Sequence, residues 1–153
     1  MITRDLLLAV ERAAVRAWPA GETGDLDGWL WRCSGGASGR ANSVSPLEFR
    51  GDDVETAIDA VEARYRSRGM PARFQVGHNF AAPDDLDRRL IARGYRAYDE
   101  VTTLTKPVTA LQIPAGVVVE DAPSAGWMEV YLSNITPDRR PPGGGDLRHI
   151  RRS

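Results

Sequence analysis

The chain has 153 residues, 42% of them hydrophobic and 27% charged, with a formal net charge of −1. That is enough chain for one ordinary core and is the composition of a globular protein. No apolar run approaches the ~20 residues of a membrane span, the single cysteine, Cys33, excludes an internal disulfide, and the charge balance excludes a generally basic nucleic-acid binder. A lone thiol fits a reducing cytoplasm, which is the expected location.

In chain order, residues 3–18 place Leu7, Val10, Ala14, Ala17 and Trp18 on one helical face, and Pro19 ends the run. Asp5, Glu11, Arg12 and Arg16 run through it, so it reads as an amphipathic helix and not as a signal peptide. Residues 28–35 (GWLWRCSG) and 40–49 (RANSVSPLEF) read as strands with polar insertions, joined by the hairpin-type loop GGASG. The strongest helix follows. Asp52 is its expected N-cap with Glu55 three residues on, and Val54, Ile58, Val61 and Tyr65 form its core face. Gly69 suits a left-handed C-cap, and Pro71 stops continuation.

Residues 72–77 (ARFQVG) read as a strand. Asp84 is the expected cap of a short helix with Leu86, Leu90 and Ile91 inward, closed by Gly94. Residues 98–106 (YDEVTTLTK) alternate as a strand should, and after the linker PVTALQIPAG a further strand is expected at 117–120 (VVVE). A last helix, capped by Ser124, carries Trp127, Val130 and Tyr131. In residues 137–153 five arginines stand against two aspartates, leaving this end at +3 and the other 136 residues at −4. The end is rich in Pro and Gly with no hydrophobic period, so residues 136–153 are expected to be a solvated, disordered basic tail. Helices and strands mix, with hairpins as well as crossovers. The expected class is α+β around a mixed, mostly antiparallel sheet flanked by helices.

Candidate chemistry is sparse. Trp29 and Trp31, two apart on a strand, share one face. They read as core packing or as the aromatic wall of a substrate cleft. Arg40, Asn42 and Ser43 are polar at strand positions, with Arg40 and Asn42 on one face and Ser43 on the other. They read as a hydrogen-bond network or as the acceptor side of that cleft. Cys33, His78 and Asn79 hold the residue types of a Cys–His–Asn hydrolase, but read first as a small buried cysteine and a loop histidine. Two histidines and one cysteine lack zinc-ligand spacing, so no metal is expected. PPGGGD lacks the Lys-Ser/Thr of a P-loop.

The segment FQVGHNFAAPDDLDRRLIARGYRAYDEVTTLTK, residues 74–106, resembles the end of a GNAT-superfamily N-acetyltransferase domain. There a strand ends near an Asn, a short helix leads to a Gly-aromatic pair, and a final strand follows. Asn79, Leu90, Gly94 and Tyr95 stand in those places. Upstream, DGWLWRCSGGASGRANSVSPL resembles the degenerate first module of bacterial tandem GNAT proteins. The resemblance implies a GNAT-like fold, and acetyl-CoA as the family's cofactor. It also implies an R/Q-x-x-G-x-G/A loop whose N–H groups hold the pyrophosphate at a helix start. The matching stretch, SVSPLEFRGDDVE, has one glycine, Gly51, and carries Asp52 and Asp53 where the phosphates belong; Arg50 alone argues for an anion. No cofactor is therefore expected in this chain.

The resemblance divides the chain into a degenerate GNAT-like module at 1–106, a linker at 107–116, and the incomplete start of a second module at 117–135. It implies the non-catalytic half of a truncated or frameshifted acetyltransferase, inactive alone, with no catalytic residue of its own. The alternative is a non-enzymatic ligand-binding or protein-interaction domain using Trp29, Trp31 and Arg40. A homodimer, or the missing second module, is the expected partner at residues 117–135, with neither nucleic acid nor membrane involved.

Overall fold

The computed structural model describes residues 2–35, 38–107, 114–134 and 149–152. The chain divides into two units, residues 1–102 with 144–153, and residues 103–143. The elements make an α+β protein. In the first unit, α1 (Arg4–Ala17) precedes β1 (Glu22–Leu26) and β2 (Trp29–Cys33). A 3-10 turn (Arg40–Asn42) leads to α2 (Val54–Arg66), β3 (Arg73–Val76), α3 (Leu86–Ala92) and β4 (Arg96–Ala97). The second unit contributes α4 (Ala125–Asn134), and β5 (His149–Arg152) belongs to the first. Among the described residues no helix is long and apolar enough to cross a membrane.

β1 and β2 are an antiparallel hairpin pairing Leu26 with Trp29. Its two-residue turn, Asp27-Gly28, has φ of 51° and 94°. Asp-Gly is the dipeptide that tolerates two positive φ values, so the turn is set locally. The hairpin loop thus lies at 27–28, ahead of GGASG, of which residues 36 and 37 lie outside the described residues. Segment 40–49 is not a strand. After the 3-10 turn only Val44 and Ser45 make single bridges, Ser45 antiparallel to Leu30 and Val44 parallel to Phe74. Pro46 follows with no N–H to continue the ladder.

α2 packs Ala57, Ile58, Val61 and Tyr65 against Trp29, Trp31 and Phe74, which makes the main core. The Tyr65 hydroxyl donates to the Arg32 carbonyl at 2.7 Å, and burial pushes its pKa up. The helix ends as its sequence predicts, with Gly69 at φ 65° and the Met70 N–H on the Tyr65 carbonyl at 3.0 Å. Its cap is Asp53, not Asp52, because Asp53 has the extended backbone that a cap requires. The same one-residue shift holds at α3, where Asp85 is the boundary residue instead of Asp84. Leu86 and Leu90 are buried there, but Ile91 is half-exposed.

α1 buries Leu8 and Glu11, with Leu7 partly covered, while Ala17 and Trp18 stay exposed. The three consecutive leucines at 6–8 make its apolar phase ambiguous, and a partner for Glu11 decides it. Gln75 on β3 donates to the Glu11 carboxylate at 3.2 Å. Leu8 then meets Leu47 and Phe80 in a second, smaller cluster.

Residues 98–107 and 114–124 carry no strand, although their sequences alternate or are β-branched. Strands need partners, and no ladder reaches these segments among the described residues. In the second unit α4 is capped by Ser124, whose Oγ accepts from the Trp127 N–H at 3.2 Å. Trp127 stacks on Tyr131, centroids 5.0 Å apart. Part of the expected linker, 108–113, the last residue of the expected second module, 135, and most of the expected tail, 136–148 and 153, lie outside the described residues. Residues 149–152, expected to be solvated, form β5, parallel to β3 and to β4.

Candidate functional site

Segment 43–46 and β3 run side by side in the same direction and touch through one bridge, with the Val44 N–H on the Arg73 carbonyl and the Gln75 N–H on the Val44 carbonyl, both at 2.8 Å. Past that bridge each chain enters a loop, 47–53 toward α2 and 77–85 toward α3. Two features lie there, the start of α2 and a pocket.

The start of α2 is occupied by the protein's own charge. One carboxylate oxygen of Asp53 accepts the Glu55 N–H at 3.1 Å, and the other accepts the Thr56 N–H at 3.2 Å and the Thr56 hydroxyl at 2.6 Å. The hydroxyl bond and then the backbone bonds hold this carboxyl below its ordinary pKa. Arg50, the cation nearest in sequence, is committed elsewhere. Its guanidinium meets Asp25 at 2.7 Å and Glu48 at 3.0 Å, and the Asp25 contact raises its pKa. The loop also presses on the β1–β2 turn. A Cβ on Gly51 would meet the Phe49 ring at 2.9 Å, and one on Gly28 would meet the Glu48 carbonyl at 2.9 Å. Both glycines serve chain-on-chain packing, and the Arg50 N–H is spent on the Asp27 carbonyl at 2.6 Å. The residues present do not fit the diphosphate of acetyl-CoA at this place.

The pocket, of about 400 Å³, lies beyond the end of β3. Its walls include Gly77, His78, Asn79 and Phe80, with Arg4 from α1 and Asp84 and Asp87 from the start of α3. Asn79 holds φ at 66°, turning the chain so that His78 and Asn79 face solvent. A Cβ on Gly77 would lie 1.7 Å from the Phe80 ring, so only glycine lets that ring close over the end of β3. The Arg4 guanidinium donates to the Phe80 carbonyl at 3.3 Å.

None of the substrate-binding candidates Trp29, Trp31, Arg40, Asn42 and Ser43 lines this pocket, whereas His78 and Asn79, which the sequence offered beside Cys33, do. Trp29 and Trp31 are fully buried in the main core. The Trp29 indole donates to the Ala82 carbonyl at 2.7 Å, and its ring meets Phe49 and Phe74. Arg64 and Arg68 sit over the Trp31 ring, 4.4 and 4.7 Å from its centroid. Arg40, Asn42 and Ser43 come together in one turn and do not alternate across a strand. The Asn42 side chain accepts from the Ser34 N–H at 2.7 Å and donates to the Ser38 carbonyl at 2.8 Å. The Ser43 hydroxyl donates to the Arg40 carbonyl at 3.0 Å.

Cys33 is buried with its thiol 3.8 Å from the Met70 sulfur, whereas His78 and Asn79 lie at the pocket, so the three form no hydrolase triad. Among the described residues no group of three or more His, Cys, Asp or Glu is placed to hold a metal. The burial of the polar residues Glu11, Arg32, Ser45 and Gln75 had no signal in sequence. Burial pulls the Arg32 guanidinium below its ordinary pKa, and its Nη2 donates to the Trp18 carbonyl.

A search with protein-family models matches residues 6–142 to the family described as "Probable histone acetyltransferase Rv0428c C-terminal". The chain is 31% identical over 137 residues to the probable histone acetyltransferase Rv0428c of Mycobacterium tuberculosis, covering 88% of this chain and 41% of that one. It is 28% identical over 145 residues to the uncharacterized N-acetyltransferase YobR of Bacillus subtilis, covering 88% of this chain and 56% of that one. It therefore spans about half the length of the curated relatives it matches. No solved structure matches. By the extent of the match the chain belongs to the Rv0428c C-terminal family, of the GNAT acetyltransferase type.

Proposed function

We propose that this chain is a GNAT-like module of an acetyltransferase that does not itself hold acetyl-CoA at the start of α2, and that it is catalytically silent alone. In the longer relatives, transfer would then draw on parts of the chain outside the matched region. The observation that carries this reading is the Asp53 carboxylate seated on the free N–H groups of α2, with Arg50 already paired. A helix start holds one anion, and here the anion is covalently part of the protein. In this reading Trp29 and Trp31 hold the main core, Arg40, Asn42 and Ser43 hold the turn before Val44, and none of them touches an acceptor.

Calorimetric titration with millimolar acetyl-CoA tests it. The expected result is no saturable heat and no thiol release above background. Micromolar binding that Arg50→Ala abolishes would overturn it. A second reading, a non-enzymatic binding domain, has its own support in the pocket beyond β3, where Arg4, His78, Asn79, Asp84 and Asp87 converge. Shifts of the His78 ring and Asn79 amide signals on adding a ligand, with those of Glu55 and Thr56 unmoved, would favour it.

A further inference from the structure

β5 lies between β3 and β4 and is parallel to both, so these two strands frame a slot one strand wide. The register defines its rows. Residue 149 stands between Arg73 and Arg96, residue 150 between Phe74 and Ala97, residue 151 beside Gln75, and residue 152 beside Val76. Phe74 and Val76 are core residues, so their rows face the core and the Arg73 and Gln75 rows face the other side. The core rows call for apolar residues. The row between the two arginines calls for a carboxylate, since like charges side by side on a sheet face repel. Arg73 is half-buried, and its Nε has no hydrogen-bond partner among the described residues. The register positions are held by His149, Ile150, Arg151 and Arg152.

The chain contains a segment that meets all of these demands when extended. Run antiparallel through the slot, Val117-Val118-Val119-Glu120 sets Glu120 between Arg73 and Arg96, and Val119 between Phe74 and Ala97. Val118 falls beside Gln75 and Val117 beside Val76. These residues carry no secondary structure and are exposed, Val118 by 79%. A bare, β-branched, apolar segment is a pairing surface unless something covers it. Antiparallel pairing is also the more stable kind per residue.

We propose that the β3–β4 slot is a strand-binding site whose occupant is Val117–Glu120 of a second copy of this chain. Each copy offers one slot and one strand, so the exchange is reciprocal and closes as a two-fold dimer. Glu120 of one copy pairs with Arg73 and Arg96 of the other, and residues 149–152 leave the slot.

Light scattering after size exclusion on the full chain, at tens of micromolar, reads the dimer. Glu120→Arg halves the mass, and so does the pair Arg73→Glu with Arg96→Glu. The three changes together restore the dimer, because the row is again complementary. A peptide of residues 116–122 (GVVVEDA) controls for misfolded variants. In excess it dissociates the unaltered dimer, and the same peptide with arginine in place of Glu120 does not. A chain monomeric throughout this range, or a dimer indifferent to Glu120→Arg and to the peptide, overturns the proposal. No step of the test uses acetyl-CoA, so its outcome is independent of the acetyltransferase reading.

Discussion

Asp53 and Asp52 are adjacent acids at the same helix start, yet only Asp53 closes hydrogen bonds to the backbone of the first turn. Asp53→Ala lowers the denaturation midpoint and Asp52→Ala leaves it in place; equal effects would refute the assignment. The pH dependence follows in sign. A carboxyl held below its unfolded pKa adds stability that is full above the ordinary carboxylate range and is lost as pH falls through the folded value. Asp53→Asn keeps a capping oxygen without a titrating proton. Its helical circular dichroism should change less between about pH 5 and about pH 2 than that of the unaltered chain. Tyr65 answers to a different force. Tyr65→Phe strips the Arg32 carbonyl of its buried donor and should cost about 1 kcal/mol in denaturant unfolding. At this scale the sequence was informative to within one residue. Asp-Asp pairs at 52–53 and 84–85 announce a helix start but leave its register to backbone dihedrals that composition does not encode.

Elements with a complete local signal were legible. α2 has a cap, a four-residue apolar period and a left-handed glycine, and the structure agrees with each except the cap's register. β2, β3, α3 and α4 were legible for similar reasons. β1 was not, since Glu-Thr-Gly-Asp-Leu is polar and its pairing comes from the Asp27-Gly28 turn and from β2. The strand expected at 40–49 failed because Asn42 uses both ends of its amide to fold the chain into a turn. The site was less legible than the fold. An aspartate cap at the start of α2 was readable in the Asp52-Asp53 pair, but the pocket depends on Gly77, whose role appears only once Phe80 is seen against it. Phe74 joins the elements, meeting Trp29 of β2 edge-on at 5.6 Å and Tyr95 after α3 at 5.6 Å. Phe74→Ala should cost about 3–5 kcal/mol in chemical denaturation. A loss under about 1 kcal/mol would show that this core collapses around the void.

The molecule distributes its apolar surface unevenly between its two units. The first encloses Trp29, Trp31, Ile58, Phe74 and Leu86 completely. In the second, Trp127 is 55% and Val130 is 63% exposed on the same helix, so α4 draws little stability from burial. Local opening free energies follow burial and contact, from near zero at bare elements to the global value in a core. A ten-residue helix is also too short to persist on propensity alone. The amides of α2 and α4 should therefore separate in native-state hydrogen exchange. Those of Ile58, Val61 and Tyr65 should open only with global unfolding and track the denaturant dependence of the whole chain. Those of Val130 and Tyr131 should exchange through local opening, at rates insensitive to low denaturant. Should α4 prove as protected as α2 at high dilution, where copies do not meet, exposure would not be what sets its opening, and the prediction fails.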